Sequence, residues 1–318
     1  MGSATEHTFA PPVMEARRWL EGVTFLADRP LINVSQAAPV DLPPEQMRAA
    51  MADIIVNEPQ AHLYGPVMGL PELRAEVATQ WSAAYGASLT ADNVAITSGC
   101  NQAFAAAISA IAQSGDEVIL PAPWYFNHKM WLDMAGVTAR AIPTDAQLLP
   151  DPEATRALIT ERTRAISLVT PNNPAGVEYP PELVLAFFKL AQETGIKLIV
   201  DETYRDFHSQ TGAPHGLFQQ ADWDQTLIHL YSFSKAFRLT GHRVGALISS
   251  PDLLAEAEKF LDTVAICPNQ IGQFSALWGL RNLTEWLAGE RFEILARRAT
   301  IEAEMPALAA KGWTLKGC

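Results

Sequence analysis

The sequence predicts an α/β chain, a mostly parallel sheet doubly wound by helices on both faces to give three layers. Three observations carry this expectation. Short β-prone apolar runs alternate with helical stretches from Val94 to Ile248. The runs stop at small, polar or charged residues, the kind that line the carboxyl edge of an open sheet. The 318 residues, 48% of them hydrophobic, are enough to bury a large core without disulfides or metals.

Composition narrows the partners. A formal net charge of -12 argues against nucleic acid, whose binders carry a basic patch or stripe, and against an anionic membrane surface. Cys100, Cys267 and Cys318 are few, odd in number and far apart, so neither a disulfide framework nor a CxxC metal site is visible. That usage fits a reducing compartment and predicts a cytoplasmic protein. Met1 to His7 lacks a basic region followed by an apolar stretch, which predicts no signal peptide. No apolar run is long enough to span a bilayer.

In chain order, the spacing predicts a helix over 12–20, a short strand over 31–35 and a second helix from Pro43-Pro44-Glu45 to about Asn57. The stretch from His62 to Arg74 is a Gly/Pro loop carrying Tyr64, with a helix starting near Pro71. Val94 to Thr97 reads as a strand, Ser98-Gly99-Cys100-Asn101 as a turn and 102–111 as a helix. Free N–H groups at such a helix start can seat a phosphate, although most Ser-Gly turns only connect elements.

Glu117 to Leu120 is the next strand, ending at Trp124-Tyr125. That aromatic pair can stack on a flat heterocycle or simply pack in the core. Arg164 to Thr170 reads as a buried strand closed by Pro171-Asn172-Asn173-Pro174-Ala175-Gly176. A helix over 181–194 ends at Gly195. Lys197 to Val200 then runs into Asp201 and Glu202, followed by Tyr204. A carboxylate at the end of a buried strand needs a partner: a protonated ring nitrogen, an ion pair or a helix cap.

Helices are expected over 252–264, 269–281 and 284–310, and 312–316 reads as the first strand of a further unit. The division expected is an N-terminal arm over 1–40, a large unit over 41–283 and the start of a smaller, truncated second domain over 284–318. His128, His208, His215, His229 and His242 lack metal-ligand spacing and read as structural or surface residues. Cys100 at a helix start would have a lowered thiol pKa, but no base partner points to a nucleophile.

The chemistry gathers at Tyr231-Ser232-Phe233-Ser234-Lys235, where a strand ends in hydroxyls and an amine, with Arg243 eight positions on. Such a set suits a phosphorylated aldehyde: the amine forms a Schiff base, and hydroxyl and guanidinium hold the phosphate. Five weak signals then lie at strand ends or helix starts: the Ser98 turn, Tyr125, Asn173, Asp201 with Tyr204, and Ser232-Lys235 with Arg243.

Together these residues make the sequence resemble the class I/II aminotransferases, pyridoxal 5'-phosphate enzymes of fold type I. The matching motifs are Tyr64-Gly65-Pro66 with Gly69 and Leu73-Arg74, Pro171 to Gly176, Asp201 to Tyr204, and Ser232 to Lys235 with Arg243-Val244-Gly245. The resemblance implies that Lys235 carries the cofactor and serves as general base and acid, and that Asp201 holds the pyridine nitrogen protonated. Asn173 and Tyr204 would donate to the phenolic oxygen, and Tyr125, ahead of Trp124, would stack on the ring. Gly99, Cys100, Asn101, Ser232 and Arg243 would bind the phosphate, and Tyr64 would reach the partner's site in a homodimer.

Two departures stand out. Many members carry a glycine where this chain reads Ser35-Gln36-Ala37-Ala38-Pro39. The arginine that grips the substrate carboxylate lies, in the family, in a C-terminal domain, and no arginine between Arg281 and Cys318 stands in the matching motif. A chain ending at that point would keep cofactor binding and lose much of its transamination. The expected activity is transfer of an amino group from an L-amino acid to a 2-oxo acid. The alternatives are a C–S β-lyase or related elimination enzyme, or a non-catalytic regulatory module. The last usually follows a basic DNA-binding segment, and the N-terminal stretch here is not basic.

Overall fold

In the computed structural model, residues 2–36 and 38–317 are described. Met1, Ala37 and Cys318 lie outside the described residues, and with them the part of the 35–39 stretch that the family comparison turns on.

The elements run in chain order α1 (Pro12–Arg18), α2 (Glu45–Asn57), α3 (Pro71–Tyr85), β1 (Val94–Thr97), α4 (Cys100–Ile111), β2 (Glu117–Ala122), α5 (Phe126–Met134) and β3 (Thr138–Pro143). They continue with α6 (Pro152–Arg156), β4 (Thr163–Val169), α7 (Pro181–Thr194), β5 (Lys197–Asp201), α8 (Trp223–Thr226), β6 (Leu227–Ser232), α9 (Phe233–Ala236) and β7 (Gly245–Ile248). Three helices close the chain: α10 (Pro251–Ala265), α11 (Gln270–Asn282) and α12 (Thr284–Ala309).

The strands form one seven-stranded sheet in the order β1-β7-β6-β5-β4-β2-β3. β2 pairs in parallel with β3 and β4, β4 with β5, and β5 with β6. β7 is antiparallel to both of its neighbours, β1 and β6. The predicted α/β class therefore holds.

Alternation along the strands feeds two separate cores. Leu198 and Val200 of β5, with Leu227 and Tyr231 of β6, join a cluster with Leu73, Val77 and Trp81 of α3 and Phe187 of α7. Ile199 of β5, with Ile228 and Leu230 of β6, joins the opposite cluster with Phe104 of α4 and Leu254 and Leu261 of α10. Runs with no polar face, such as Leu198, Ile199 and Val200 of β5, follow from burial on both sides.

Local signals explain the element ends. Proline occupies the first turn of α3, α7 and α10, where its missing N–H is no loss. α7 stops at Gly195 in the left-handed conformation (φ +70°), which a glycine reaches without a Cβ clash.

Three expectations need correction. The predicted strand over 31–35 is irregular, and Leu31, Ile32 and Val34 are exposed; its apolar residues find no sheet edge. No strand forms over 312–316 either. β3 was not anticipated from the sequence: it is an edge strand whose residues are mostly not buried, so it lacks the apolar run that marks the others.

Behind the sheet edge lies a buried polar cluster on the α3 side. Glu202 is fully buried, and the Tyr85 hydroxyl donates to its Oε2. His229 Nε2 lies 2.7 Å from the same oxygen and His215 Nε2 3.2 Å. The Arg205 guanidinium stacks 3.9 Å over the Trp81 ring. Burial by itself would raise the Glu202 pKa, but the two histidines outweigh it and hold the carboxyl well below its usual range. Burial lowers the His229 pKa despite the adjacent carboxylate.

Both shifts have the same sign for stability. The unfolded chain takes up protons at His229 below about pH 6.5 and at Glu202 below about pH 4.3, where the folded chain resists them. Stability is therefore expected to fall as pH drops from neutrality toward 4, as followed by urea unfolding. Glu202→Ala, which leaves its histidine and tyrosine partners unsatisfied, is expected to destabilise the fold by about 3–5 kcal/mol at pH 7 in the same assay.

Candidate functional site

The site forms where the carboxyl ends of β1, β2, β4, β5 and β6 meet one edge of the sheet. Arg243 reaches that edge by a different route. It precedes β7, and only because β7 runs against its neighbours does the start of that strand lie among the ends of the others. Gly245 pairs with both Thr97 of β1 and Ser232 of β6. A parallel β7 would have sent Arg243 to the far side of the sheet.

Close backbone approach fixes this corner. A Cβ on Gly245 would lie 2.7 Å from the Gly99 carbonyl carbon, 2.7 Å from the Tyr231 oxygen and 2.8 Å from the Cys100 nitrogen, so only glycine fits. Gly99 itself adopts φ +86° at the N-cap of α4, and a side chain there would strike the Arg243 guanidinium. Arg243 Nη1 donates to the Thr240 carbonyl at 3.0 Å and to Ser234 Oγ at 3.4 Å. The corner thus combines a positive helix end, the first-turn N–H groups at Cys100 and Asn101, and a guanidinium, which is an anion-binding arrangement.

Lys235 stands on the one-turn helix α9, which Ser232 starts by accepting a hydrogen bond from the Ser234 N–H at 3.2 Å. Burial lowers the Lys235 pKa, and the positive charge of Arg243 lowers it further. Its Nζ lies 5.7 Å from the centre of the Tyr204 ring. The Tyr204 hydroxyl accepts from Asn173 Nδ2 at 3.4 Å. Burial and the charge of Asp201 push the Tyr204 pKa up to about 12, which keeps the phenol protonated at neutral pH. Tyr204 therefore has the Lys235 amine over its ring and the Asp201 charge near enough to raise its phenol pKa.

Asp201 is buried at the end of β5. Its Oδ1 accepts from the Thr203 N–H at 3.0 Å, and its Oδ2 lies 3.3 Å from His128 Nε2. Burial would raise its pKa, but His128 and Thr203 more than offset this and hold the carboxyl below its usual value. Tyr125 stands edge-on to His128, with ring centres 5.1 Å apart, and donates to Asn101 Oδ1 at 3.2 Å. Burial raises its pKa, as does the nearby Asp201.

The structure thus gathers Gly99, Cys100, Asn101, Tyr125, Asn173, Asp201, Tyr204, Ser232, Lys235 and Arg243 at one edge. Tyr64 stands apart: it is 78% exposed on the loop ahead of α3. That loop meets the segment after α10, where the Gly65 N–H donates to Cys267 Sγ at 3.4 Å. Trp124 is half-buried against the α4-side core. Two expectations change. Burial and the Asp201 charge raise the Cys100 thiol pKa, the reverse of the lowering expected at a helix start. Asn172, unlike Asn173, turns inward, donating from Nδ2 to Tyr179 and Val169 and accepting the Ala175 N–H at Oδ1.

The sequence reading passed over two residues of this edge. His128, read as structural or surface, stacks at 3.8 Å on Phe104 and faces the Asp201 carboxylate. The available signal was spacing: it lies three residues after Tyr125, on the same face of α5's first turn. Ser234 supplies the hydroxyl that meets Arg243, whereas Ser232 is engaged in capping α9. Beside Asn173 and Tyr204 opens a cavity of about 340 Å³ walled by Phe207, Ile294 and Ile301.

The comparisons with known proteins agree with this arrangement. The family model "Aminotransferase class I and II" matches residues 29–317. A probable aspartate/prephenate aminotransferase of Thermus aquaticus is 30% identical over 244 residues, covering 74% of this chain and 61% of that protein. The aromatic aminotransferase ISS1 of Arabidopsis thaliana is 29% identical over 269 residues, covering 82% of this chain and 66% of that protein. This chain therefore spans roughly three fifths to two thirds of these curated relatives. The Thermus thermophilus aspartate aminotransferase with maleate superposes with a TM-score of 0.85 at 25% identity, over 100% of this chain and 82% of that one. Motif order, sheet topology and these matches lead to one conclusion: the chain belongs to the class I and II aminotransferase family.

Proposed function

We propose that this protein is a pyridoxal-phosphate-dependent aminotransferase that moves an amino group from an L-amino acid to a 2-oxo acid. The observation that carries the proposal is a single one: near Tyr204 stand both a buried, ionised Asp201 and a lysine, Lys235, whose amine is depressed by burial and Arg243. An acid at one end and a deprotonatable amine at the other suit one small heterocyclic aldehyde.

The residues fit that cofactor. The corner made by Gly99, Cys100, Asn101, Arg243 and the α9 hydroxyls would take its phosphate; glycines at 99 and 245 leave the backbone close enough to do so. Asp201, kept charged by His128, would hold a proton on the ring nitrogen. Tyr204 and Asn173 would orient the phenolic oxygen, and Tyr125 would cover one ring face. The bound cofactor would supply an electron sink that stabilises negative charge at the substrate Cα. Lys235 would hold the aldehyde carbon and then carry a proton to and from the substrate Cα, a task for which a depressed amine pKa is suited.

The reading extends to organisation. Residues 41–283 would form the cofactor-binding unit, with 1–40 and 284–318 associated with a smaller one. A homodimer would place Tyr64 at the partner's phosphate. In support, Tyr64 is exposed beside Leu63 on its loop, and the Gly65–Cys267 and His62–Ile55 hydrogen bonds tie that loop to segments that expose Val264, Ile266 and Val56. A cytoplasmic location is part of the same proposal.

Borohydride reduction of the protein mixed with pyridoxal phosphate is expected to leave the label on the Lys235 peptide. Lys235→Ala should lose both label and yellow colour, with kcat reduced roughly 10²- to 10⁴-fold. Continued trapping by that variant would reject the assignment. Formation of 2-oxo acid without ammonia would select transfer over elimination.

Gly245→Ala drives a methyl into three backbone atoms that have no room to withdraw. It is expected to weaken cofactor binding at least roughly tenfold, read by absorbance titration, and to destabilise the fold by about 1–3 kcal/mol.

A further inference from the structure

α12 is long and thinly packed: none of its residues is buried, and Phe292 and Ile294 are exposed. Trp286 and Leu287 rest against the α3-side core, and farther along Arg298 Nη1 lies 3.6 Å from Glu178 Oε1. Between them, two adjacent residues make direct polar contacts with the loops at the sheet edge. Glu290 receives Arg238 Nε at 3.0 Å and Nη2 at 2.6 Å, both on Oε2. Arg291 donates to three successive carbonyls, His208 at 2.7 Å, Ser209 at 3.1 Å and Gln210 at 3.0 Å.

Each contact reaches a loop that bears one of the site groups. Arg238 is three residues beyond Lys235, at the end of α9, and its N–H donates to the Lys235 carbonyl at 3.4 Å. It adopts φ +57°, a left-handed conformation that glycine usually fills and that disfavours a long side chain. Its guanidinium accounts for the arginine there: besides Glu290 it donates to the Leu42 carbonyl at 3.2 Å. The carbonyls held by Arg291 follow directly on the turn after Tyr204, and Glu178 grips the same segment by accepting the Ser209 N–H at 2.8 Å. One helix thus ties down the loop of the amine and the loop of the phenol, at consecutive residues.

We propose that Glu290 and Arg291 are positioning residues, setting Lys235 and Tyr204 in register with one another from outside the site. This rests on the cofactor reading above, so the test must read more than turnover. Glu290→Ala, Glu290→Gln, Arg291→Ala and the control Glu293→Ala, whose exposed partner Arg297 lies one turn along α12 itself, would be compared with the parent chain. Two readouts are needed: the rate at which borohydride fixes pyridoxal phosphate on the Lys235 peptide, and amide hydrogen exchange over 203–210 and 233–240.

Glu290→Ala is expected to slow fixation roughly three- to tenfold and to speed exchange over 233–240. Glu290→Gln, which keeps an acceptor for the guanidinium, should recover most of the rate. Arg291→Ala should speed exchange over 203–210, and Glu293→Ala should match the parent in every readout. Parental fixation and exchange in Glu290→Ala, or equal losses in the Glu293→Ala control, would overturn the proposal. If the parent itself takes no label on Lys235, the cofactor reading fails instead, and exchange alone decides whether α12 holds the two loops.

Discussion

A buried negative charge at the end of the central strand β5 is the constraint around which this edge of the molecule is built. A carboxylate stripped of water is costly unless ion pairs and hydrogen bonds replace the solvent. For Asp201 the replacements come from three elements: its own loop through Thr203, α5 through His128, and α4 through Phe104, which fixes the plane of that histidine. The field of the retained charge then reaches outward, raising Tyr204 and Tyr125 and with them Cys100. Burial and this charge together favour the neutral form of two phenols, beside a lysine whose own pKa burial lowers.

Alternation along β5 explains why two adjacent acids behave so differently. Asp201 shares the α4 face with Ile199; Glu202 continues the α3 face of Leu198 and Val200. Glu202 is fully buried among Tyr85, His215 and His229, with Arg205 and Trp81 alongside. Both carboxyls are held ionised, but only the charge of Asp201 reaches Tyr204 and Tyr125 at the carboxyl edge. This is why the proposed chemistry is assigned to the first acid and the stability of the sheet to the second.

Most of the parallel sheet could be read from the sequence, because strands buried on both faces, such as 165–169 and 198–200, leave largely apolar runs with polar stops. Those stops delivered Asp201, Asn173 and Lys235 directly. What could not be read was anything depending on strand direction or on side chains from distant elements. The antiparallel β7 leaves no mark in an apolar run of four residues, yet it alone brings Arg243 to Gly99. That His128 faces Asp201 carries no sign in sequence, because the 72 positions between them are bridged only by the fold. Edge strand β3 lacks an apolar run, and the 31–35 segment has one without a neighbour to pair with; period-two patterning fails in opposite directions at these two places.

Burial and polar contact divide the work of holding the site. The strands and α4 are fixed by packing, so Asp201, Gly99 and Gly245 stand on rigid supports with almost no freedom to shift. Lys235 and Tyr204 stand on shorter supports: α9 is a single turn, though anchored by buried Phe233, Ala236 and Phe237, and Tyr204 begins a loop. Both segments are also held by hydrogen bonds made farther along the chain, by Arg238 and by the carbonyls of 208–210, to a helix that has no buried residue of its own. Polar contacts of this kind weaken readily with salt and solvent access. In the proposed reaction the amine and the phenol must adjust to substrate, and both sit on segments held in part by such contacts and not by strand packing alone.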